Sequence, residues 1–295
     1  MATIFGIDHK YVAASTLAMS VGVAIYATYR LSGGRRKESI NAYYETNKSV
    51  NEYLLFHYGR ADELLAYEDY GPNDSLDFPK RCAELCLKYY KPNDDVPKRA
   101  LDVGCAVGRA TFELASAVDE AIGIDYSSAF INVCNTLKNK GSVDYSMISE
   151  GDLCTEHKAV VPADINRQKA KFQQGDACNL PQNLGQFGIV LAANLLCRLH
   201  HPRMFINSLK TLVARGGILV ITGPYTWMPE YTDKSEWLGG YKDKEGTPVT
   251  TFDTLKKELA TCFVLLEDCN LPFLIRETSR KHQWTVAHAT VWQRI

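Results

Sequence analysis

Three acidic residues stand just beyond apolar runs and could hold one polar ligand between them: Asp102, Asp125 and Asp176. The first opens the stretch Asp102-Val103-Gly104-Cys105-Ala106-Val107-Gly108. Glycine at 104 and 108 removes Cβ atoms where a chain must turn sharply and lie against a ligand. The pattern is acid-x-Gly-x-x-x-Gly, which differs from the Gly-x-Gly-x-x-Gly loop that seats a pyrophosphate on a helix end. A ligand without phosphate, carrying an ammonium group and a ribose diol, suits these residue types, and S-adenosylmethionine is such a ligand. The expected contacts are Asp102, Gly104, Cys105, Ala106 and Gly108 at its amino-acid end, Asp125 and Tyr126 at the ribose, and Asp176 and Ala177 at the adenine, with Asn194 completing the set. Two alternatives stand beside this: the acids as helix caps or turn residues, and a nicotinamide or flavin in the glycine loop, against which the spacing argues.

To converge, these residues need strands that end side by side. An apolar strand ending at Val103, a helix over 109–117 and a strand over 121–125 form a βαβ unit. Ser127 can cap a helix over 129–138, and weak alternation over 144–161 predicts an inserted hairpin, a lid, within an insertion at 142–170. Residues 187–194 form a buried strand, and 218–222 another after the Gly216-Gly217 turn; 252–260 is helical, and 262–266 with 284–292 supply two last strands. Ahead of the sheet, helices are expected from near Ile40 to Gly59 and over 78–90. The fold expected over 40–295 is a Rossmann-like α/β domain with a mostly parallel seven-stranded sheet.

The 295 residues are 46% hydrophobic and 23% charged, a composition that excludes disordered and fibrous classes. A net charge of -1 leaves no basic footprint for nucleic acid. The nine cysteines are scattered, Cys82 and Cys86 lie at helical spacing, and no zinc signature or other metal site is expected. The N-terminus differs from the rest. Behind a short tail, 1–10, the segment 11–31 holds an uncharged run from Val12 to Tyr29 that approaches the length of a membrane-spanning helix. A basic linker, 32–39, follows with Arg35, Arg36 and Lys37, so a single-pass anchor would leave the remaining chain facing the cytosol. A buried or amphipathic helix is the alternative for the same run.

Further motifs carry a resemblance. Tyr43-Tyr44-Glu45-Thr46, Glu52-Tyr53-Leu54-Leu55-Phe56-His57-Tyr58-Gly59, Gly175-Asp176-Ala177-Cys178-Asn179-Leu180, Pro224-Tyr225-Thr226-Trp227, Trp237-Leu238-Gly239-Gly240, Ile275-Arg276-Glu277-Thr278 and Thr290-Val291-Trp292 together resemble the methyltransferase domain of ovothiol biosynthesis, over about 40–294. The resemblance implies methyl transfer from S-adenosylmethionine to a ring nitrogen of 5-thiohistidine (4-mercaptohistidine). In that family the domain is often fused behind a sulfoxide-synthase module. These residues hold no such module, so the expectation is a standalone enzyme whose substrate comes from a separate sulfoxide synthase and lyase.

A zwitterionic acceptor needs cations for its carboxylate and acceptors for its ammonium. Arg276, Arg280 and Lys281 are candidates for the first, Glu277 and Asn194 for the second, while Tyr44, Tyr225, Trp227 and Trp237 could wall the ring. Tyr44, Glu277 or His288 could take a proton. A solvated hairpin end is the plainer account of the basic cluster, and core packing that of the aromatics. Three rival functions remain: methylation of a membrane lipid, quinone or other small molecule; nicotinamide-dependent oxidoreduction; and a catalytically silent adaptor. Deleting residues 1–37 should move the protein into the soluble fraction of a lysate; a truncated chain that stays as firmly membrane-bound as the full one rules the anchor out.

Overall fold

The central strands are nearly continuous apolar runs because both of their faces are covered. In the computed structural model, which describes residues 3–4, 7–8 and 42–295, β3 (Arg99–Val103), β4 (Glu120–Asp125), β7 (Ala170–Gln174), β8 (Phe187–Ala193) and β9 (Val213–Gly223) run parallel. With β12 (Phe263–Arg276) and β13 (His282–Arg294) they form one seven-stranded sheet of order β12-β13-β9-β8-β3-β4-β7, in which β13 alone is reversed. Side chains alternate between faces along each strand. Ala100, Ile189, Leu191, Ile218 and Val220 join one core with Leu54, Cys82, Phe112 and Leu137, and Leu101, Val190, Ala192, Leu219 and Ile221 join the other with Phe205, Leu209 and Leu255. This is the doubly wound architecture expected from the sequence.

The first core is closed by α1 (Asn47–Tyr58), the short α2 (Ala61–Leu64), α3 (Phe78–Tyr89), α4 (Arg109–Ala115) and α5 (Ser128–Lys140); the second by α6 (Pro202–Leu212) and α7 (Thr251–Leu259). The helix expected from Ile40 onward is interrupted at residues 45–46, and α1 restarts from Thr46, whose hydroxyl accepts from the Ser49 amide. The physical reason is Glu45. Its carboxylate leaves the helix line to accept from the Ser128 amide, the Ser128 hydroxyl and the Ala129 amide at 2.9, 2.9 and 3.1 Å, where acid suits the start of α5. Ser127 caps α5 as expected and also donates to the Tyr44 carbonyl at 3.0 Å. The segment before α1 is thereby pinned beside the end of β4.

The inserted hairpin is present as β5 (Ser142–Glu150) and β6 (Leu153–Val160), and it leans on α1 through Asn51 Nδ2 donating to the Ser146 carbonyl. The last two strands are far longer than the sequence suggests, because Asp268, Asn270 and Pro272 break the apolar pattern without breaking the strand. Proline is tolerated there since β12 is an edge, where a missing N–H need not face a partner. The two short strands β1 (Thr3–Ile4) and β2 (Ile7–Asp8) pair antiparallel; β10 (Tyr241–Lys242) pairs with β11 (Pro248–Val249). The proposed anchor at 11–31 and the linker at 32–39 lie outside the described residues. Among the described residues no helix is long and apolar enough to cross a membrane.

One core-facing position of β3 is charged in sequence. Asp102 is 2% exposed and its Oδ2 accepts from the Thr111 hydroxyl of α4 at 2.7 Å. Burial pushes its carboxyl up to about 7, with the Thr111 bond opposing and the Asp125 charge adding. In the unfolded chain the same group titrates near 4, at about 3.9. Above about pH 7 the native state therefore holds a desolvated carboxylate; below about pH 4 both states are neutral and that cost vanishes. Asp102→Asn should gain thermal stability relative to the native chain as pH rises from about 4 to about 7 and hold the gain above it. A Tm difference that stays flat over this range contradicts the burial argument.

Candidate functional site

At the carboxyl end of β3 the chain turns through Gly104, at φ 78°, and the amides of Gly104 and Cys105 both donate to the Ile124 carbonyl of β4 at 2.7 and 3.1 Å. Ala106 follows in the left-handed region at φ 46°, and its amide donates to Asp125 Oδ2 at 2.9 Å. Gly108, at φ 83°, starts α4; a Cβ there would lie 2.7 Å from Phe172 Cε1. Among the described residues four non-glycines have positive φ, and three of them, Ala106, Asn194 and Tyr225, stand just beyond the carboxyl ends of β3, β8 and β9. Each such residue costs about 1–3 kcal/mol and persists only where its surroundings enforce it, which is characteristic of ligand sites. In open α/β sheets that edge is where ligands bind.

The three acids meet different fates. Asp125 opens partly into the cleft, and its Oδ1 accepts from the Ser127 amide at 2.9 Å while Oδ2 takes Ala106. Each oxygen keeps a lone pair for a further donor, so the carboxylate fits a ribose diol. Burial among protein atoms pushes it up to about 6, with the two main-chain bonds pulling the other way. Asp102 lies beneath the loop on Thr111. Asp176 is exposed and accepts from the Cys178 amide at 2.8 Å, capping the turn Ala177–Asn179. Tyr126 is 60% exposed beside Asp125. Asn194 is held by Thr222, whose carbonyl and hydroxyl accept from its amide while the same hydroxyl donates to its Oδ1 at 3.1 Å.

Over these strand ends lies an aromatic group that the sequence reading did not assemble. Tyr44 meets Tyr53 edge-on at 6.2 Å between ring centroids, and both pack on Phe130. Arg198, from the turn Leu196–Arg198 after β8, stacks over the Tyr231 ring at 4.5 Å, and Tyr231 shares a hydrogen bond with Tyr44. Burial pushes the Tyr53 phenol up to about 12, the Asp125 charge adding to it, and pushes Tyr44 up further. Tyr44 therefore keeps its proton and acts as a donor rather than a base. Its motif was visible in sequence; the partners Arg198 and Tyr231 carried no local signal.

The remaining candidates separate into two groups. His288 joins Tyr225 and Asp268: the Tyr225 hydroxyl and His288 Nδ1 are 2.8 Å apart, and His288 Nε2 and Asp268 Oδ2 are 2.9 Å apart. Phe252 packs edge-on against the imidazole at 4.6 Å. Tyr225 and Trp227 line a cavity of about 430 Å³ with Tyr241 and Val249. Trp227 and Trp237 stack on each other at 6.4 Å, and their indole N–H groups are taken by Thr251 Oγ1 and the Thr232 carbonyl. In contrast, the basic cluster does not converge on one point. Arg276 is 4% exposed, and its guanidinium donates to the Glu63 carbonyl of α2 and the Thr278 carbonyl. Arg280 stacks over Tyr67 at 4.4 Å, and Lys281 pairs with Glu277 at 2.6 Å. That lysine, then Gln283, holds the Glu277 carboxyl below its ordinary range. Among the described residues no His, Cys, Asp and Glu cluster is arranged to hold a metal ion.

Residues 101–221 match a family described as "Methyltransferase domain". The chain carries a methyltransferase domain. Its enzyme class is that of methyltransferases dependent on S-adenosylmethionine, which is the cofactor. No curated protein matches the sequence significantly. Among solved structures, a geranyl diphosphate methyltransferase in complex with geranyl diphosphate and sinefungin is similar at 13% identity and TM-score 0.53, covering 88% of this chain and 100% of that one. The cyclase SpnF is similar at 16% identity and TM-score 0.50, covering 80% of this chain and 76% of that one. At these identities the likeness concerns the fold alone, and a cyclase among the neighbours illustrates why chemistry has to be argued from the site.

The Asp125 carboxylate is suited to accept from a ribose diol, and burial pushes its carboxyl up to about 6. Protonation on the acid side removes half of that acceptor capacity. The affinity for S-adenosylhomocysteine should rise from about pH 5 to about pH 7 and then level off, whereas Asp125→Asn should bind about tenfold more weakly and without that rise. Titration calorimetry checks both, and a pH-independent native affinity removes Asp125 from the ribose.

Proposed function

We propose that the chain transfers the methyl group of S-adenosylmethionine to an imidazole ring nitrogen of 5-thiohistidine, forming ovothiol. The observation that carries this reading is the hydrogen-bonded chain Tyr225–His288–Asp268 beyond the end of β9, where His288 pairs with Gly223 in register. Methylating the nitrogen of a neutral imidazole leaves one surplus ring proton, which needs an acceptor. When bound, S-adenosylmethionine supplies a methyl group on a sulfonium that already carries its charge, so orientation rather than strong base chemistry is required.

The residues divide that work. The turn from Gly104 to Gly108 and Asp125 hold the donor at the ends of β3 and β4. Tyr225 can take the ring proton as its own passes to His288 Nδ1, while the His288 Nε2–H donates to Asp268 and steadies the imidazolium that forms. That tautomer is assigned from the chemistry of the chain. Burial, with the Asp268 charge adding, raises the Tyr225 phenol above its ordinary range, so it works by passing a proton on and not by standing ionised. The resemblance of the tail residues to the ovothiol domain supports the choice of acceptor. A separate sulfoxide synthase and lyase would then supply the thiol-imidazole, and the segment 11–31 would tether the enzyme to a membrane.

The full chain incubated with S-adenosylmethionine and 5-thiohistidine should yield the N-methylated product by mass and by nuclear magnetic resonance. His288→Asn should lower kcat by about a hundredfold and leave S-adenosylhomocysteine affinity unchanged. No product from 5-thiohistidine, together with turnover of a quinone or phenolic lipid, overturns the reading in favour of a lipid-type acceptor.

A further inference from the structure

Arg198 is a half-buried cation that meets no carboxylate among the described residues. Its Nη1 donates to the carbonyls of Cys197 and Thr226, both at 3.2 Å, and its Nη2 reaches Thr226 Oγ1 only at 3.5 Å. Nε has no acceptor among the described residues, and no carboxylate among them lies within ion-pairing distance. Arg99, Arg109 and Arg203 each meet a glutamate at 2.7–3.0 Å, whereas Arg198, like Arg81, Arg167 and Arg294, is held by carbonyls, and it alone of these four stands at the carboxyl ends of the central strands. The rings around Arg198 do not neutralise it either. Tyr44, Tyr53 and Tyr231 interact with its charge, but burial keeps the Tyr44 and Tyr53 phenols protonated. An uncompensated charge in such surroundings is costly unless something pairs with it.

Its position narrows what that partner is. Arg198 ends the turn that follows Asn194 and β8, on the ligand-binding edge of the sheet, and Thr226 joins it to the strained Tyr225. Tyr53 feels both Arg198 and Asp125, so the guanidinium stands on the side of the donor site. With Nη1 occupied and the plane stacked on Tyr231, Nε has no acceptor among the described residues and Nη2 has one long one, and the Nε/Nη2 edge matches a carboxylate with two parallel hydrogen bonds.

We propose that the Nε/Nη2 edge of Arg198 binds the α-carboxylate of the methyl acceptor. The proposal rests on the amino-acid acceptor described above and replaces Arg276, which is buried and whose Nε and Nη1 are taken by main-chain carbonyls. Tyr231 and the two carbonyls orient the fork before substrate arrives, with Tyr44 and Tyr53 beside it.

The test titrates the S-adenosylhomocysteine complex of the full chain with 5-thiohistidine and with its decarboxylated amine, and measures KM and kcat for both. The native protein should bind the amine at least about tenfold more weakly than the amino acid. Arg198→Gln should lose that preference, Arg198→Lys should keep part of it, and both should keep S-adenosylhomocysteine affinity within about twofold. A native enzyme that methylates 5-thiohistidine yet does not prefer it over the amine overturns the proposal and leaves the acceptor assignment standing. That arm needs no variant to fold. An Arg198→Gln protein that retains the preference overturns it as well, and one that loses S-adenosylhomocysteine instead gives the guanidinium to the carboxylate of the donor. If the native enzyme neither binds nor methylates 5-thiohistidine, the acceptor reading falls first and this assignment with it.

Discussion

The Asp125 carboxylate sits between two amides, Ala106 on one side and Ser127 on the other, and the site is organised around that pair of bonds. Ala106 adopts a left-handed backbone that an alanine avoids, and the bond to Asp125 compensates for it. The second bond fixes the entrance to α5, whose Ser127 cap in turn reaches Tyr44. One half-buried acid therefore sets the shape of the glycine turn, the start of a helix and the position of the segment that precedes α1. The same burial raises the carboxyl toward neutrality, so the group that shapes the turn is also sensitive to pH.

From that point the segment 43–58 becomes part of the site rather than an appendage to it. Glu45 crosses to the first turn of α5, α1 restarts at Thr46, and Tyr44 and Tyr53 come to lie against Phe130. The inserted hairpin and the far end of β12–β13 brace this arrangement from outside. Asn51 holds Ser146, Ser279 holds the Ser149 carbonyl, and Arg276 holds α2. Those contacts give the basic tail a positioning task that its charge alone does not reveal.

The acceptor side is built differently. Its polar groups come from loops after β8 and β9 and from strands β12 and β13, and side-chain groups take part in each of their bonds. Tyr225, His288 and Asp268 form one line and Arg198, Thr226 and Tyr231 another, with the adjacent residues Tyr225 and Thr226 linking them. On the proposed assignment, the donor side rests on backbone geometry and the acceptor side on side-chain chemistry, a division by which one fold can serve different acceptors.

The sequence by itself determined the sheet, the glycine turn and the acid that ends β4, because apolar alternation, glycine spacing and strand-end acids are local properties. It missed the length of the β12–β13 hairpin, since an edge strand tolerates polar residues and Pro272 where a central strand would not. It grouped Arg276, Arg280 and Lys281 by proximity along the chain, although their side chains meet Glu63, Tyr67 and Glu277 separately. Only the tertiary structure decided that Tyr225 meets His288 and that Arg198 meets Tyr231. Those partners are far apart in sequence and share no period; they are brought together by the order of strands in the sheet and by the reversal of β13, which local pattern does not encode.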